Sequence, residues 1–272
     1  VMLLINGQPC DSVSALDRGL SYGDGLFETI RFEQGKAPLW SRHMQRLATG
    51  CERLGMPAPD AALIWQEAQQ VTDKLAQCVL RITLTRGLGE RGYAPPIQVS
   101  PTRIVVAFPM PVVSRTLYLE GVRLHRCHTT LADQPLLAGI KHLNRLEQVL
   151  ARAEWSDPAI SEGLVCDSHG NVISATAANL FAVIDGVLVT PSVDRCGVAG
   201  VARAAILEAF PNCQVRDVAL DEGVRAAELF LSSSVRGILP VQAVGDTVYA
   251  PGPVVRAMQQ HWRDLGFAME QA

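Results

Sequence analysis

Apolar residues recur every three or four positions from Trp40 through Met44, Leu47 and Cys51 to Leu54, a stripe that predicts a helix stopped by Gly55. A second helix is expected over 60–76, after Pro57 and Pro59. Met2 to Asn6 reads as a strand, and Leu26–Phe32 with Ala37–Trp40 as a hairpin turning at Glu33–Lys36. The Val- and Ile-rich runs Cys78–Thr85 and Arg103–Phe108 read as buried strands. Prolines 109 and 111 block both helix and ladder, making Phe108–Val113 a linker. Beyond it the pattern predicts a strand over 121–127 and a helix from Lys141 to Trp155 with Leu143, Leu146, Leu150 and Ala153 as its buried stripe. A meander over 163–190, a helix over 200–210, strands near 214–220 and 228–232, and a last helix over 253–265 follow. Strands in runs rather than strict βαβ alternation predict an α+β protein of two domains, 1–113 and 114–272.

Composition narrows the function classes. With 272 residues, 48% of them apolar, the chain has enough material for real cores and is not a disordered polypeptide. Only 19% of residues are charged and the net charge is -3, so no basic surface for nucleic acid or an anionic membrane is expected. The seven cysteines are odd in number and never spaced as CxxC, which argues against a disulfide scaffold or zinc knuckle and for a reducing compartment. The start has no basic segment before a long apolar run, and later apolar stretches are interrupted well short of the roughly 18 residues of a membrane span. A soluble cytosolic protein is therefore expected. His125 and His128 fall on opposite faces or out of register in a strand, and no metal site is expected. Gly87-Leu-Gly89-Glu-Arg-Gly92 matches GxGxxG, but a dinucleotide site needs a helix to open there, and Tyr93-Ala-Pro95-Pro96 forbids one.

Of 24 basic residues only three are lysine. Lys36 sits in the predicted turn and Lys74 on the polar side of a helix, both solvated positions. Lys141 follows Leu136-Leu-Ala-Gly-Ile140 and is expected to open a helix; desolvation and the helix dipole would both lower its pKa and make it a usable nucleophile and base. Spacing alone leaves a snorkelling lysine as the more common alternative. An anion site is also predicted. Gly197-Val-Ala-Gly200-Val201-Ala202-Arg203 brings small residues to a helix start, where free N–H groups bind phosphate; a plain helix start is the other reading. Ser232-Ser233-Ser234 ends a strand of the same half, and Arg46, three residues after His43, could pair with the same phosphate or be simply solvated.

The segments Tyr22-Gly-Asp-Gly-Leu-Phe-Glu-Thr29, His43-x-x-Arg46-Leu47, Arg86-Gly-Leu-Gly-Glu-Arg91-Gly-Tyr93, Gly139-Ile-Lys141-His-Leu-Asn144, Ala178-Asn179-Leu-Phe181 and Gly200-Val-Ala-Arg203 resemble, in this order, those of fold type IV pyridoxal-phosphate enzymes. That family includes branched-chain and D-amino-acid aminotransferases and aminodeoxychorismate lyases; the run 138–149 with Arg91-Gly-Tyr93 looks most like the lyases of bacterial folate synthesis. The resemblance implies two α+β domains with pyridoxal 5'-phosphate at their interface, and a homodimer. It implies that Lys141 holds the cofactor as a Schiff base, and that Arg46, the N–H groups of Val201 and Ala202, and the hydroxyls of Ser233 and Ser234 hold its phosphate. Arg91 and Tyr93 would bind a substrate carboxylate, with Phe27 nearby where a tyrosine is often found.

One position departs from the pattern. The family's Glu-x-Ser-x-x-Asn-x-Phe strand reads Ser174-Ala-Thr176-Ala-Ala-Asn179-Leu-Phe181 here, placing Ser174 where a carboxylate normally meets the pyridine nitrogen. A neutral hydroxyl stabilises a pyridinium far less than a carboxylate does, so the ring becomes a poorer electron sink. Transamination should suffer more than an elimination whose product is aromatic. The resemblance to the lyases implies release of pyruvate and 4-aminobenzoate from 4-amino-4-deoxychorismate as the expected activity, and Ser174 is compatible with it. An aminotransferase of the same fold, or a non-catalytic binding protein, are the alternatives.

Overall fold

The computed structural model describes residues 2–267 and divides into two units, Val1–Pro111 with Ile140–Asn144, and Val112–Gly139 with Arg145–Ala272. The first unit contains β1 (Leu3–Ile5), β2 (Gln8–Pro9), α1 (Arg18–Tyr22), β3 (Gly25–Glu33), α2 (Trp40–Leu54), α3 (Ala61–Thr72), β4 (Gln77–Thr85) and β5 (Thr102–Pro109). Its strands form an antiparallel sheet in the order β2-β1-β5-β4-β3. The helix predicted from Trp40 forms with those bounds and ends on Gly55 at φ 60°, a left-handed conformation that glycine adopts without strain. It packs against β3, with Leu47 and Cys51 buried.

Two local expectations change. Ala37–Trp40 is not a strand, because β3 pairs along its whole length with β4, from Gly25 opposite Thr85 to Glu33 opposite Gln77. That distant partner takes the ladder groups on one side of β3 along all nine residues, whereas the proposed local arm retains only a Glu33–Lys36 bridge before Trp40 opens α2. The second helix stops at Thr72, since Asp73 turns extended and Lys74 takes a positive φ of 68°.

The second unit contains α4 (Arg115–Leu119), β6 (Val122–Leu131), α5 (Leu146–Arg152), β7 (Ile160–Asp167), β8 (Val172–Ala175), β9 (Asn179–Ile184), β10 (Val187–Pro191), α6 (Val201–Ala209), β11 (Gln214–Arg216), α7 (Leu220–Gly223), β12 (Glu228–Ser233), β13 (Gly237–Val244), β14 (Thr247–Val248) and α8 (Pro253–Asp264). The sheet runs β11-β10-β9-β12-β13-β6-β7-β8, with β14 on β13, and a further pairing of Ser174 with Asn179 brings β8 back onto β9. Sequence patterning misses β13, whose Pro240 argues against a strand between two neighbours; it pairs there with Phe230 nonetheless. Two parallel-stacked rings, Phe181 and Phe230, 5.1 Å apart, lie at the centre of this unit's core.

The helix expected from Lys141 begins only at Leu146, and Leu146 and Leu150, assigned to its buried stripe, are 69% and 55% exposed. Residues Ile140–Asn144 instead join the first unit, although sequence organisation places them after the linker. The reason is backbone hydrogen bonding at the edge of β3. Phe27 N donates to Lys141 O at 3.0 Å, Leu143 N donates to Gly25 O at 2.9 Å, and Leu26 bridges His142. No helix among the described residues is long and apolar enough to cross a membrane.

Candidate active site

The backbone pairing with β3 fixes Lys141 beside Phe27. Its Nζ lies 4.4 Å from the centroid of the buried Phe27 ring, so the amine is held against an aromatic face rather than at a helix start. The dipole argument for this lysine is thereby replaced by a tertiary one.

Strand alternation turns Glu28 away from Phe27, and Glu28 is 1% exposed. Arg46 Nε donates to Glu28 Oε1 at 2.7 Å, and His43 Nδ1 lies 2.6 Å from Glu28 Oε2. Burial raises the carboxyl's pKa, but the charge of Arg46 and the His43 contact outweigh it and hold Glu28 down at about 2. Burial pushes the His43 imidazole below its ordinary value against the pull of Glu28. Arg46 is thus not a solvated surface arginine: its side chain is 12% exposed and braced on a buried carboxylate. Glu28 was not a sequence candidate, because nothing in the pattern joins it to a helix 18 residues on.

In the second unit the segments predicted to hold an anion lie around Asn179. Gly200 caps α6 without a side chain, and a Cβ built on it would fall 2.1 Å from Asn179 Oδ1. Glycine is therefore required for this helix start to approach the strand so closely. Asn179 Nδ2 donates to Val198 O at 2.9 Å, fixing the loop that leads into Val201 and Ala202. On β12 Ser232 stands opposite Asn179, and on β8 so does Ser174. The Ser232 hydroxyl is buried and has no hydrogen-bond partner among the described residues. The next residue, Ser233, has an Oγ that accepts from Arg236 N at 3.0 Å, in the turn that also carries Ser234. First-turn N–H groups and a buried hydroxyl of unmet capacity around one asparagine make a suitable donor set for a phosphate.

Glu162, also missed from the sequence, is buried in the same unit. Thr176 Oγ1 and Arg236 Nη2 donate to it, and Ala177 N does so at 3.3 Å. Its oxygens are engaged by these donors, tying the β12–β13 turn to the end of β8.

Arg91 and Tyr93 lie on an exposed loop, Tyr93 being 87% exposed. The loop is nevertheless anchored. The buried Arg18 donates to Gly92 O and Tyr93 O at 3.0 Å, and Gly92 N donates to Tyr22 Oη at 3.1 Å. Asp24 binds both Arg18 and Arg86; burial raises its pKa, and the two arginines bring it below the ordinary value. No hydrogen bond or ring contact among the described residues joins Arg91 or Tyr93 to Phe27. Nor does any group of three or more potential metal ligands occur among them.

A family model described as amino-transferase class IV matches residues 25–244, a span that takes in Phe27, Arg46, Lys141, Ser174 and the α6 start. The chain belongs to the class IV aminotransferase family. This class IV chain is 36% identical over 247 residues to the aminodeoxychorismate lyase of Vibrio harveyi, covering 89% of this chain and 91% of that one. Among solved structures, 4-amino-4-deoxychorismate lyase from Pseudomonas aeruginosa is 47% identical, with TM-score 0.92 over 96% of this chain and 98% of the other. A hypothetical aminotransferase from Mycobacterium tuberculosis in a PLP-bound form, 20% identical, shares the fold at TM-score 0.81 over 97% and 98% of the two chains.

Proposed function

We propose that the chain is a pyridoxal 5'-phosphate-dependent lyase that converts 4-amino-4-deoxychorismate to 4-aminobenzoate and pyruvate. The observation that carries this reading is Lys141, held by the edge of β3 against Phe27, in a class IV chain akin to two aminodeoxychorismate lyases. Lys141 would hold the cofactor covalently. Its phosphate would be taken by the N–H groups of Val201 and Ala202, the hydroxyls of Ser233 and Ser234, and Arg46. The unmet hydroxyl of Ser232 and the Gly200 helix start support that assignment. When bound, the cofactor supplies a ring that accepts electrons from the carbon bearing the substrate amine. Lys141 Nζ would take the proton from that ring carbon, and the enolpyruvyl group would leave with its C–O electrons and take up a proton to become pyruvate as the carbocycle becomes aromatic.

Ser174 favours the lyase over an aminotransferase. Two buried carboxylates of its sheet are engaged elsewhere, Glu162 by Thr176 and Arg236 and Asp167 by Asn171 and Arg195, which supports the Ser174 hydroxyl as the polar group at the family's pyridine-nitrogen position. Arg91 and Tyr93 contribute to binding substrate carboxylate, from a loop that Arg18 and Tyr22 hold in shape. The seven cysteines are all free, which supports a reducing, cytoplasmic setting. A homodimer is supported by the apolar face of α5, where Leu146, Val149 and Leu150 are 69%, 60% and 55% exposed.

Lys141→Ala should abolish both the yellow absorbance of the lysine-bound cofactor and pyruvate release from aminodeoxychorismate. Pyruvate release with no 2-oxo acid added distinguishes the lyase from an aminotransferase. Retained turnover in the variant would overturn the assignment.

A further inference from the structure

The two oxygens of Glu162 serve two different segments of the second unit. Oε2 accepts from Thr176 Oγ1 and, at 3.3 Å, from Ala177 N, whereas Oε1 accepts from Arg236 Nη2. The carboxylate is buried, and Arg236 has no other carboxylate partner among the described residues. Each segment lies two residues beyond a position that the proposed function gives to the cofactor. Thr176 follows Ser174, and Arg236 follows Ser234.

The sheet by itself relates these segments only in part. Ser174 pairs with Asn179 and Asn179 with Ser232, so the ladder runs through β8, β9 and β12 as far as the strand ends. The β12–β13 ladder closes with Ser233 opposite Gly237, and Ser234, Val235 and Arg236 lie outside it. Within that turn Arg236 N donates to Ser233 Oγ at 3.0 Å, and Tyr118 Oη of α4 donates to Arg236 O at 2.8 Å. These bonds shape the turn without linking it to β8. Glu162 supplies the link, from a base on β7 where Thr176 N donates to Gly163 O at 3.0 Å. A buried ion pair adds little net stability over apolar side chains of similar volume, because desolvation offsets much of the attraction. What it imposes is geometry, since a charge-assisted hydrogen bond weakens steeply when its partners are displaced.

We propose that Glu162 is a positioning residue: through Arg236 it holds the turn carrying Ser233 and Ser234 at a set span from Ser174, and so fits the site to the distance between the cofactor's ring nitrogen and its phosphate. This rests on the reading of Ser174 as the group at the ring nitrogen and of Ser233 and Ser234 as phosphate ligands. Glu162 itself touches neither end. Its effect passes through Thr176 on one side and Arg236 on the other.

The test titrates the full chain, freed of cofactor, with pyridoxal 5'-phosphate and with pyridoxal, which lacks the phosphate, and follows the yellow absorbance of the aldehyde bound to Lys141. The wild type should prefer the phosphorylated aldehyde. In Glu162→Gln and in Arg236→Met that preference, the ratio of the two Kd values, should fall about tenfold, as expected for one charge-assisted hydrogen bond. The double variant should fall little further, because each residue acts through the other. Arg236→Lys should recover part of the loss. A general loosening of the fold would weaken both aldehydes alike and leave the ratio unmoved. Where Glu162→Gln does not fold, the Arg236 variants, at the less buried end of the pair, carry the same measurement. A ratio unchanged in Arg236→Met, or losses that multiply in the double variant, overturns the positioning role alone. A wild type that binds the two aldehydes equally overturns the phosphate reading and this proposal with it.

Discussion

At the scale of single residues, the chemistry depends on what stands beside each polar group rather than on its type alone. Lys141 and Ser174 were legible in the sequence, one through the scarcity of lysine and the other as a departure from a known pattern. Glu28 and Glu162 were not, because each takes its meaning from a partner on another element: Arg46 and Thr176 respectively. Ser174 offers a direct test of the electronic argument. A glutamate there would supply the missing charge opposite the pyridine nitrogen and strengthen the electron sink. Ser174→Glu should raise side transamination of an amino acid with a 2-oxo acid, on the order of tenfold for about one pKa unit of added stabilisation. Unchanged transamination would mean that the nitrogen meets another group.

At the scale of elements, the join between β3 and α2 is electrostatic as well as apolar. Glu28 on the strand faces His43 and Arg46 on the helix, and both titrating groups have folded-state pKa values below their ordinary ones. In the window between the two values, the unfolded chain binds the extra proton, so acidification favours unfolding. The His43 contribution is lost first, as pH falls from about 6.5, and the Glu28 contribution follows as pH falls from 4.5 towards about 2. Urea unfolding midpoints should therefore fall on acidification from about pH 7 to about pH 5, and His43→Asn should flatten that part of the curve. A wild-type midpoint that rises over this interval would contradict the assignment. The same join shows why the predicted local hairpin failed. Nine residues of β3 find partners on β4, some fifty positions away in the sequence, and no turn signal encodes that pairing.

At the scale of the whole molecule, the α5 face leaves apolar side chains uncovered. Leu146, Val149 and Leu150 project from one side of a single helix, and Leu136 in the same unit is 78% exposed. The i, i+3 and i+4 spacing sets the three α5 side chains on one face, which suits the proposed homodimer. If it seats a second copy of the chain, light scattering after gel filtration should give twice the mass of 29.4 kDa. Leu150→Asp should then shift the population toward monomer at micromolar concentration, since a charge would be buried without a partner. A wild type that is monomeric at the same concentration would remove the proposed assembly.

Local pattern alone determined the α2 stripe and its glycine stop, the Gly200 helix start and the last helix, because periodicity, caps and small residues act within a few positions of themselves. The order of motifs along the chain likewise identified the family. Only the tertiary structure decided the setting of Lys141. Its segment leaves the expected helix and completes the edge of β3, more than one hundred positions earlier in the chain, because buried backbone groups must be paired wherever a partner lies. That same strand brings Phe27 under the amine, a juxtaposition set by strand pairing and by no spacing in the sequence.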